Sequence, residues 1–375
     1  MTENSARPPF RADHVGSLLR PDAVKVARLN HYDDNGVAAE SLREIENEAI
    51  RGLVGMQESV GLNVVTDGEA RRSFWHYDFM DGLTGFDVVE RSGVEGVSFH
   101  GATLRPLFPT ISGELDFPDD HPMLEHFRYL ASVAHVCPKI SIPGPSACHF
   151  RTAREDIAPA KYADTDQLFA DLARTYSKAV KAFYAAGCRY LQMDDIFFAY
   201  LCDPKLRAEK KNQGEDPDWL IDRYAWMMNE AIHDRPDDLT IGMHMCRGNF
   251  QSTWVAEGAY DPVADTIFNK IDVDVYFMEY DSERAGSLSP LRLLPKGRKR
   301  VMPGFISTKF PELETADDIQ RRFDDASQYA DLDQLGIAPQ CGFASTEEGN
   351  KITADDQWRK LELLVTVADK IWGEH

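Results

Sequence analysis

Residues 165–194 read TDQLFADLARTYSKAVKAFYAAGCRYLQMD, and they contain the unit from which most of the chain is built. The first part carries apolar residues at helical spacing, which predicts an amphipathic helix over residues 165–186. The last part, YLQMD, is a short β-rich run and predicts a strand over residues 190–194. Helices that alternate with strands are typical of proteins with a parallel sheet.

The same unit recurs on both sides of this stretch. Strands are predicted at residues 11–17, 63–69, 136–143, 190–194, 240–246, 273–280, 301–307 and 337–343. Amphipathic helices are predicted at residues 38–60, 165–186, 217–232, 316–330 and 355–372. Eight strand positions over a chain of 375 residues favour an α/β fold of the (β/α)8 TIM-barrel type. An open doubly wound sheet is the alternative, but no glycine-rich dinucleotide-binding turn follows the first strand.

One segment breaks the alternation. Residues 86–117 read as a β-hairpin inserted after the second strand, with Gly93 and Gly96 near its turn. We expect this excursion to lie over one end of the barrel. The sequence contains no internal repeat and no long linker, so residues 1–375 are predicted to form a single domain with residues 86–117 as an insertion within it.

Composition limits the classes of partner and the compartment. The formal net charge is −21, which disfavours nucleic acid and membrane partners because both carry negative charge. Six cysteines without paired spacing argue for a reducing compartment rather than a disulfide framework. The N-terminal MTENSARPPF lacks the apolar segment of a signal peptide, and a cytoplasmic protein is expected. A homo-oligomer is compatible with the sequence.

Metal-ligand residue types collect at the ends of three predicted strands. His244 and Cys246 end the fifth strand, Glu279 ends the sixth and Cys341 lies in the eighth. Residues two apart in a strand point to the same side, so His244 and Cys246 can hold one ion. Two thiolates with an imidazole select zinc over magnesium or calcium. The alternative is a hydrogen-bonded core histidine beside a small buried cysteine.

Carboxylates end other strands at the same side of the predicted barrel. Ser17 ends the first strand, Glu69 ends the second and Asp194 ends the fourth. Two carboxylates and a serine that face a cavity suit the ammonium group of a small substrate. The alternative, that such acids cap the following helices, is favoured for Asp67 and Asp195.

These strand ends carry a resemblance to a known family. The chain resembles the catalytic C-terminal half of cobalamin-independent methionine synthases, and especially the short, single-domain members. The matching motifs span nearly the whole chain in order: DHVGSLLRP (13–21), DGEARR (67–72), IPGPS (142–146), YLQMDD (190–195), HMCRGN (244–249), VMPGF (301–305) and QCGFAS (340–345).

The resemblance implies a zinc-dependent thiol S-methyltransferase on a (β/α)8 barrel. Zinc would be held by His244, Cys246, Glu279 and Cys341, and homocysteine would be bound by Ser17, Glu69 and Asp194. A second N-terminal barrel, which in the full-length enzymes helps to hold the folate polyglutamate tail, is not expected here. The partners implied are therefore homocysteine and a methyl donor, either a folate such as methyl-tetrahydrofolate, a corrinoid or a simple methylated compound.

The proton donor departs from the family pattern. The family's histidine after the seventh strand falls on Lys309, which makes Lys309 one candidate for the acid and His149, in ACHFR, a second. A lysine paired with an acid such as Glu312 is the alternative for Lys309, and a structural histidine is the alternative for His149. Arg151, Trp75 and His76 are expected to line the donor side.

Three other functions are compatible with the same sequence. An epoxide:coenzyme M-type thiol alkyltransferase would keep the zinc and change both substrates, but a sulfonate needs cationic partners, whereas Glu69 and Asp194 suit an amino acid. A uroporphyrinogen-decarboxylase-like enzyme would share the barrel without a metal. A non-catalytic zinc barrel would bind a thiol or a carrier protein without turnover.

Overall fold

The computed structural model describes residues 7–32 and 36–373. Its strands are, in chain order, β1 Val64–Val65, β2 Thr84–Glu90, β3 Ser98–Phe99, β4 Ala102–Thr103, β5 Leu107–Asp116, β6 Cys137–Pro138, β7 Ile140–Pro143, β8 Tyr190–Asp194, β9 Thr240–Met245, β10 Val275–Glu279, β11 Arg300–Ile306 and β12 Ala338–Pro339.

Helices separate most of these strands. They are α1 Asp22–Tyr32, α2 Ala39–Ser59, α3 Tyr77–Met80, α4 Pro122–Val133, α5 Ser146–Phe150, α6 Thr165–Ala185, α7 Phe197–Tyr200, α8 Pro204–Asn212, α9 Pro217–Ile232, α10 Asp261–Asp265, α11 Ala316–Ala326 and α12 Ala354–Trp372. A π-helical turn, Thr266–Lys270, follows α10.

Local signals set several helix ends. α12 begins with a capping box between Thr353 and Asp356, and it ends at Gly373 in the left-handed conformation. α6 is capped by the Asp164 side chain, which accepts from the backbone N–H of Asp166. The helix predicted over residues 316–330 ends four residues early, at Ala326, and residues 327–329 form a turn in which Gln328 donates its backbone N–H to Asp325 O.

The parallel strands form a (β/α)8 barrel, as predicted. β7 to β12 form one parallel sheet in sequence order, and β1 pairs in parallel with β6. Lys139, between β6 and β7, donates its backbone N–H to Val65 O at 2.8 Å. At the other end of the ring, Ala12 forms a parallel bridge with Ile337, next to β12. Each predicted strand position therefore takes part in parallel pairing.

Three strands are reduced to one or two residues, much shorter than predicted. The predicted strand 63–69 is reduced to β1, because Gly68 and Glu69 adopt positive φ angles of 65° and 56° and turn the chain out of the sheet. The predicted strand 337–343 is reduced to β12, after which Phe343 donates its backbone N–H to Ser17 O. The first predicted strand pairs only through Ala12. In each case the missing part forms the loop that carries polar side chains.

The barrel interior is filled by side chains and one buried ion pair. Lys139 Nζ lies 2.6 Å from Asp13 Oδ1, and Tyr190 Oη donates to Asp13 Oδ2 at 2.6 Å. The ammonium of Lys139 also lies 4.5 Å from the centre of the Phe277 ring. The apolar residues packed here are Phe10, Val15, Val64, Tyr190, Val275, Phe277, Met302 and Ala338.

The excursion after the second strand is a β-hairpin, as predicted. β2 and β5 pair antiparallel, and β3 with β4 forms a smaller hairpin at its tip. The expectation that the turn lies near Gly93 and Gly96 is wrong, because the tip turn falls between Phe99 and Ala102, where Gly101 has φ 91°. The tip packs on the segment after β9, since His100 donates its backbone N–H to Trp254 O at 3.0 Å.

Hydropathy of the helices bears on membrane association. Within residues 7–32 and 36–373, no helix combines the length and the apolar character needed to span a bilayer.

Candidate metal centre and active site

Two strand ends bring three soft ligand atoms together. His244 lies at the end of β9, Cys246 follows it directly, and Cys341 follows β12. The ligand atoms of these three residues all lie within 4.8 Å of one another, and all three side chains are buried. The Nε2 atom of His244 is buried without a hydrogen-bond partner among the described residues. Two thiols and an imidazole with a free nitrogen fit a soft divalent ion such as zinc.

The electrostatics of the group favour a thiolate at Cys341. Burial raises the pKa of Cys341, but contacts from Cys246 and His244 outweigh it and hold that pKa well below its ordinary value. The neighbouring Cys341, together with burial, raises the pKa of Cys246. One of the two sulfurs is therefore stabilised in the ionised form that binds metals.

Glu279, the predicted fourth ligand, lies beside the group but does not belong to it. It ends β10, where Phe277, on the same face of the strand, is in register with His244. Its Oε1 lies 3.0 Å from Arg284 Nη2, and its Oε2 accepts the backbone N–H of Arg247 at 2.9 Å. Its charge also contributes to the raised pKa of Cys246. Its role as a ligand stays a prediction.

The predicted substrate carboxylates lie next to the metal ligands. Asp194 at the end of β8 is in register with His244, and its Oδ1 lies 3.3 Å from His244 Nδ1. Glu69 Oε1 accepts from Ser141 Oγ at 3.0 Å, whereas Glu69 Oε2 is buried without a partner among the described residues. Burial raises the pKa of Glu69 to about 7, although the charges of Arg72 and Arg20 oppose the shift.

Ser17 contacts the segment after Cys341. Asp67 and Asp195, the two acids predicted to cap helices, have other partners. Ser17 Oγ accepts the backbone N–H of Ala344 at 3.3 Å, three residues after Cys341. Asp67 accepts the backbone N–H of Glu69 at 2.9 Å, within the turn that follows β1. Asp195 accepts from the hydroxyl of Ser146. The cap interpretation is therefore wrong for Asp195, whose carboxylate accepts from the first residue of α5 and not from the helix that follows it, and Asp67 stabilises a turn instead of a helix.

One cavity at the carboxyl end of the strands connects these groups. It is lined both by the metal ligands and by aromatic residues. Its lining includes Ser17, Glu69, Asp194, His244, Cys246 and Cys341 from the predicted site, together with Val15, Phe74, Trp75, His76, Phe99, Leu104, Arg151, Ile196, Tyr200, Gly248, Asn249, Ser345 and Thr346.

Lys309 is buried beside the cavity and holds the loop after Cys246. Its ammonium group donates to Asn249 Oδ1 at 2.8 Å, to Gly248 O at 3.1 Å and to Thr253 O at 3.2 Å. The expected alternative, a pair with Glu312, is not found among the described residues. The geometry indicates a residue that shapes the loop next to the metal ligands.

His149 lies in a neighbouring groove and not in this cavity. Its Nδ1 is 2.8 Å from Tyr224 Oη, and its Nε2 is 3.1 Å from Glu215 Oε1. Both ring nitrogens are thus engaged by protein groups. The groove that it lines also contains Arg154 and Lys210.

Some of the residues that line the cavity were expected from the sequence, and others were not. Trp75, His76 and Arg151 were expected on the donor side, and they line the cavity. Phe99 and Leu104 come from the hairpin, and no motif in the sequence indicates that its tip reaches the barrel mouth. Tyr200 follows the YLQMDD motif closely, so proximity to a strand end was the only available signal for it.

Comparison with known proteins gives one consistent family. The family model described as "Cobalamin-independent synthase, Catalytic domain" matches residues 10–369. The chain is similar to the uncharacterised protein YxjG of Bacillus subtilis (strain 168), with 46% identity over 368 residues that cover 98% of this chain and 96% of that protein. It is also similar to the methionine synthase of Saccharolobus solfataricus, with 24% identity over 92% of this chain and 95% of that protein.

A solved structure supports the same relationship. The crystal structure of a candidate vitamin-B12-independent methionine synthase from Listeria monocytogenes is 37% identical, with a TM-score of 0.78 over 99% of this chain and 100% of that one. The family model covers nearly the whole chain, and the motifs at the strand ends surround one cavity. The protein therefore belongs to the cobalamin-independent methionine synthase family, whose enzymes are methyltransferases.

Proposed function

We propose that this protein binds zinc through His244, Cys246 and Cys341, with Glu279 as the fourth ligand, and transfers a methyl group to the sulfur of homocysteine. The observation that carries the proposal is the convergence of three soft ligand atoms within 4.8 Å of one another. They share a cavity with two carboxylates that suit an ammonium group.

Zinc would supply the activation of the thiol. A free thiol has a pKa of about 8.5, and coordination to zinc converts it into the nucleophilic thiolate near neutral pH. Two protein thiolates and a carboxylate leave such a site electron-rich, which preserves the nucleophilicity of the bound sulfur.

The protein side chains would orient the substrate. Glu69 and Asp194 line the same cavity as the metal ligands, and the unpartnered Glu69 Oε2 is available to accept from an ammonium group. Ser17, tied to the segment after Cys341, is placed to meet the substrate carboxylate or amine. This arrangement would hold the amino acid by its polar end and leave its sulfur directed towards the metal ligands.

A methyl donor would pack against the aromatic residues of the cavity. Trp75, Phe99 and Tyr200 form its walls, and Arg151 lies between this cavity and the two grooves beside it. A folate, a corrinoid and a small methylated compound are the donor classes that the family relationship suggests.

Two measurements on the purified protein test the proposal. Metal analysis should give about one zinc per chain, as expected for a single four-ligand site. Homocysteine should then be converted to methionine with at least one donor from a panel of methyl-tetrahydrofolate mono- and polyglutamate, methylcobalamin and small methylated compounds. A folded protein without zinc would favour the decarboxylase-like alternative, and bound zinc without turnover of any donor would favour a non-catalytic thiol-binding barrel.

A further inference from the structure

The cavity contains a second imidazole besides that of His244. His76 is 1% exposed, and neither of its ring nitrogens has a hydrogen-bond partner among the described residues. Its ring is stacked between Trp75, with centroids 4.4 Å apart, and Tyr77, with centroids 3.9 Å apart. Buried polar atoms are almost always paired, so an unpaired imidazole in a ligand cavity indicates a group that meets the ligand.

Backbone contacts fix His76 relative to the metal ligands. Trp75 donates its backbone N–H to Ser345 O at 2.9 Å, and Phe74 forms an antiparallel bridge with Thr346. Ser345 Oγ in turn lies 3.8 Å from Cys341 Sγ. The segment that presents His76 is therefore attached to the segment that presents Cys341, and both open on the same cavity.

The surroundings of His76 keep it neutral in the resting protein. Burial, and then the charge of Arg151, hold the pKa of His76 well below its ordinary value. Tyr77, the other titratable group stacked on the ring, has its own pKa raised by burial and is therefore uncharged. A neutral imidazole can accept a proton, and its conjugate acid in this environment would release that proton readily.

We propose that His76 is the catalytic residue that delivers a proton to the leaving nitrogen of an amine-type methyl donor. This inference rests on the proposed function. The bond between sulfur and the methyl carbon forms as the bond between that carbon and the donor nitrogen breaks, and the electron pair stays on nitrogen. The proton that the substrate thiol loses passes to His76 and from there to nitrogen, so a thiol and an N-methyl amine give a thioether and an N–H amine.

Neither of the acids expected from the sequence is available for this step. Lys309 directs its ammonium group to three acceptors in the loop after Cys246. His149 engages Tyr224 and Glu215 with its two nitrogens in a different groove. Two of the described histidines line the cavity: His76, and His244, which is a candidate metal ligand.

The test compares donors that differ in whether the leaving group needs a proton. His76→Gln keeps a polar side chain but cannot carry a proton. Its zinc content and thermal stability are measured first, and methionine formation is then followed with methyl-tetrahydrofolate and with a sulfonium donor such as S-methylmethionine, whose sulfide leaves without a proton. We expect kcat to fall by about 100-fold or more with the amine donor and to change little with the sulfonium. His126→Gln is the matched control, because His126 also has an unpartnered Nδ1 but faces another groove.

Each other outcome has a definite meaning. Equal losses with both donors at normal zinc content would overturn the proton-delivery role. Wild-type turnover with the sulfonium or with methylcobalamin, but never with the amine, would also overturn it and leave the proposed function standing. Absence of methionine from every donor would overturn the proposed function itself.

A second variant covers the case in which His76→Gln does not fold. Arg151→Met leaves the imidazole in place and removes the charge beside it. Loss of that charge should raise the pKa of His76. We therefore expect the acidic limb of the plot of kcat against pH to move to higher pH with the amine donor only. A limb that does not move would contradict the role of His76.

Discussion

At the scale of single residues, Glu69 combines backbone and side-chain features that are unfavourable without a ligand. Its φ of 56° lies in the left-handed region, which residues other than glycine adopt rarely. One of its carboxylate oxygens is buried and unpartnered, and burial raises its pKa to about 7. Such features persist where the surrounding structure enforces them and are common at functional sites.

Glu69 should make homocysteine binding dependent on pH. The carboxylate is ionised above its pKa of about 7 and protonated below it, and only the ionised form attracts an ammonium group strongly. The KM for homocysteine is therefore expected to rise as the pH falls from 8 to about 6. In Glu69→Gln the KM should be about tenfold or more higher at pH 8, since a hydrogen bond to a charged group contributes about 1.5–3 kcal/mol. A KM for Glu69→Gln that still rises at low pH would assign the titration to another group.

Cys341 should be required for metal retention. Its sulfur is one of only three soft ligand atoms in the group, and the other two come from a different strand. Cys341→Ser is expected to lose most of the zinc and the activity, as measured by metal analysis after dialysis. Cys188→Ser, a buried cysteine outside the cavity, is the control and should retain the metal. Zinc retained in Cys341→Ser would remove this residue from the site.

At the scale of elements, the hairpin formed by β2 and β5 depends on a glycine at its base. Gly85 has φ 74°, and a Cβ atom there would lie 2.4 Å from the backbone oxygen of Glu114 on the paired strand. The hairpin places Phe99 and Leu104 at the cavity, so its pairing affects the site as well as the fold. The sequence predicted this hairpin from its β-rich pattern, but the contact of its tip with Trp254 joins residues far apart in the chain and leaves no local signal.

Gly85→Ala should therefore destabilise the protein more than a glycine replacement at an open position. We expect a loss of about 1–3 kcal/mol in the free energy of unfolding, from the unfavourable φ and the backbone clash together. Gly93→Ala is the matched control, because Gly93 also has a positive φ of 78° but its Cβ would meet no atom within 4 Å. Urea denaturation measures both. Equal losses in the two variants would show that the clash is relieved by movement of the strand.

At the scale of the whole molecule, the barrel follows from the strand and helix pattern, whereas parts of the site do not. The order of the strands and the placement of His244, Cys246 and Asp194 at their ends could be predicted, because parallel barrel strands end at one face, whereas Glu69 lies in a turn beyond its strand. The surroundings of Lys309 and His149 could not, since their partners lie on distant segments. The buried pair of Lys139 with Asp13 inside the barrel was likewise not foreseen.

Removal of one partner from that buried pair should be costly. In Lys139→Met the Asp13 carboxylate would remain inside the barrel without its cation, and a loss of roughly 3–5 kcal/mol is expected. Lys181→Met, which removes an exposed pair with Asp234 on the surface, should cost no more than about 1 kcal/mol. Urea denaturation of the two variants gives the comparison. A small effect of Lys139→Met would mean that Asp13 takes up a proton in its place.

The position of the ligands along the chain has a mechanical consequence. Residues 244 and 246 belong to the middle of the barrel, and residue 341 to its closing turn. An ion held by all three would join the two ends of that half of the barrel. Its binding would offset the conformational entropy that is lost when the two ends of this segment are brought together. Removal of the ion by a chelator would then loosen the C-terminal half of the barrel as well as abolish activity. We expect limited proteolysis of the chelated protein to cut first in that half.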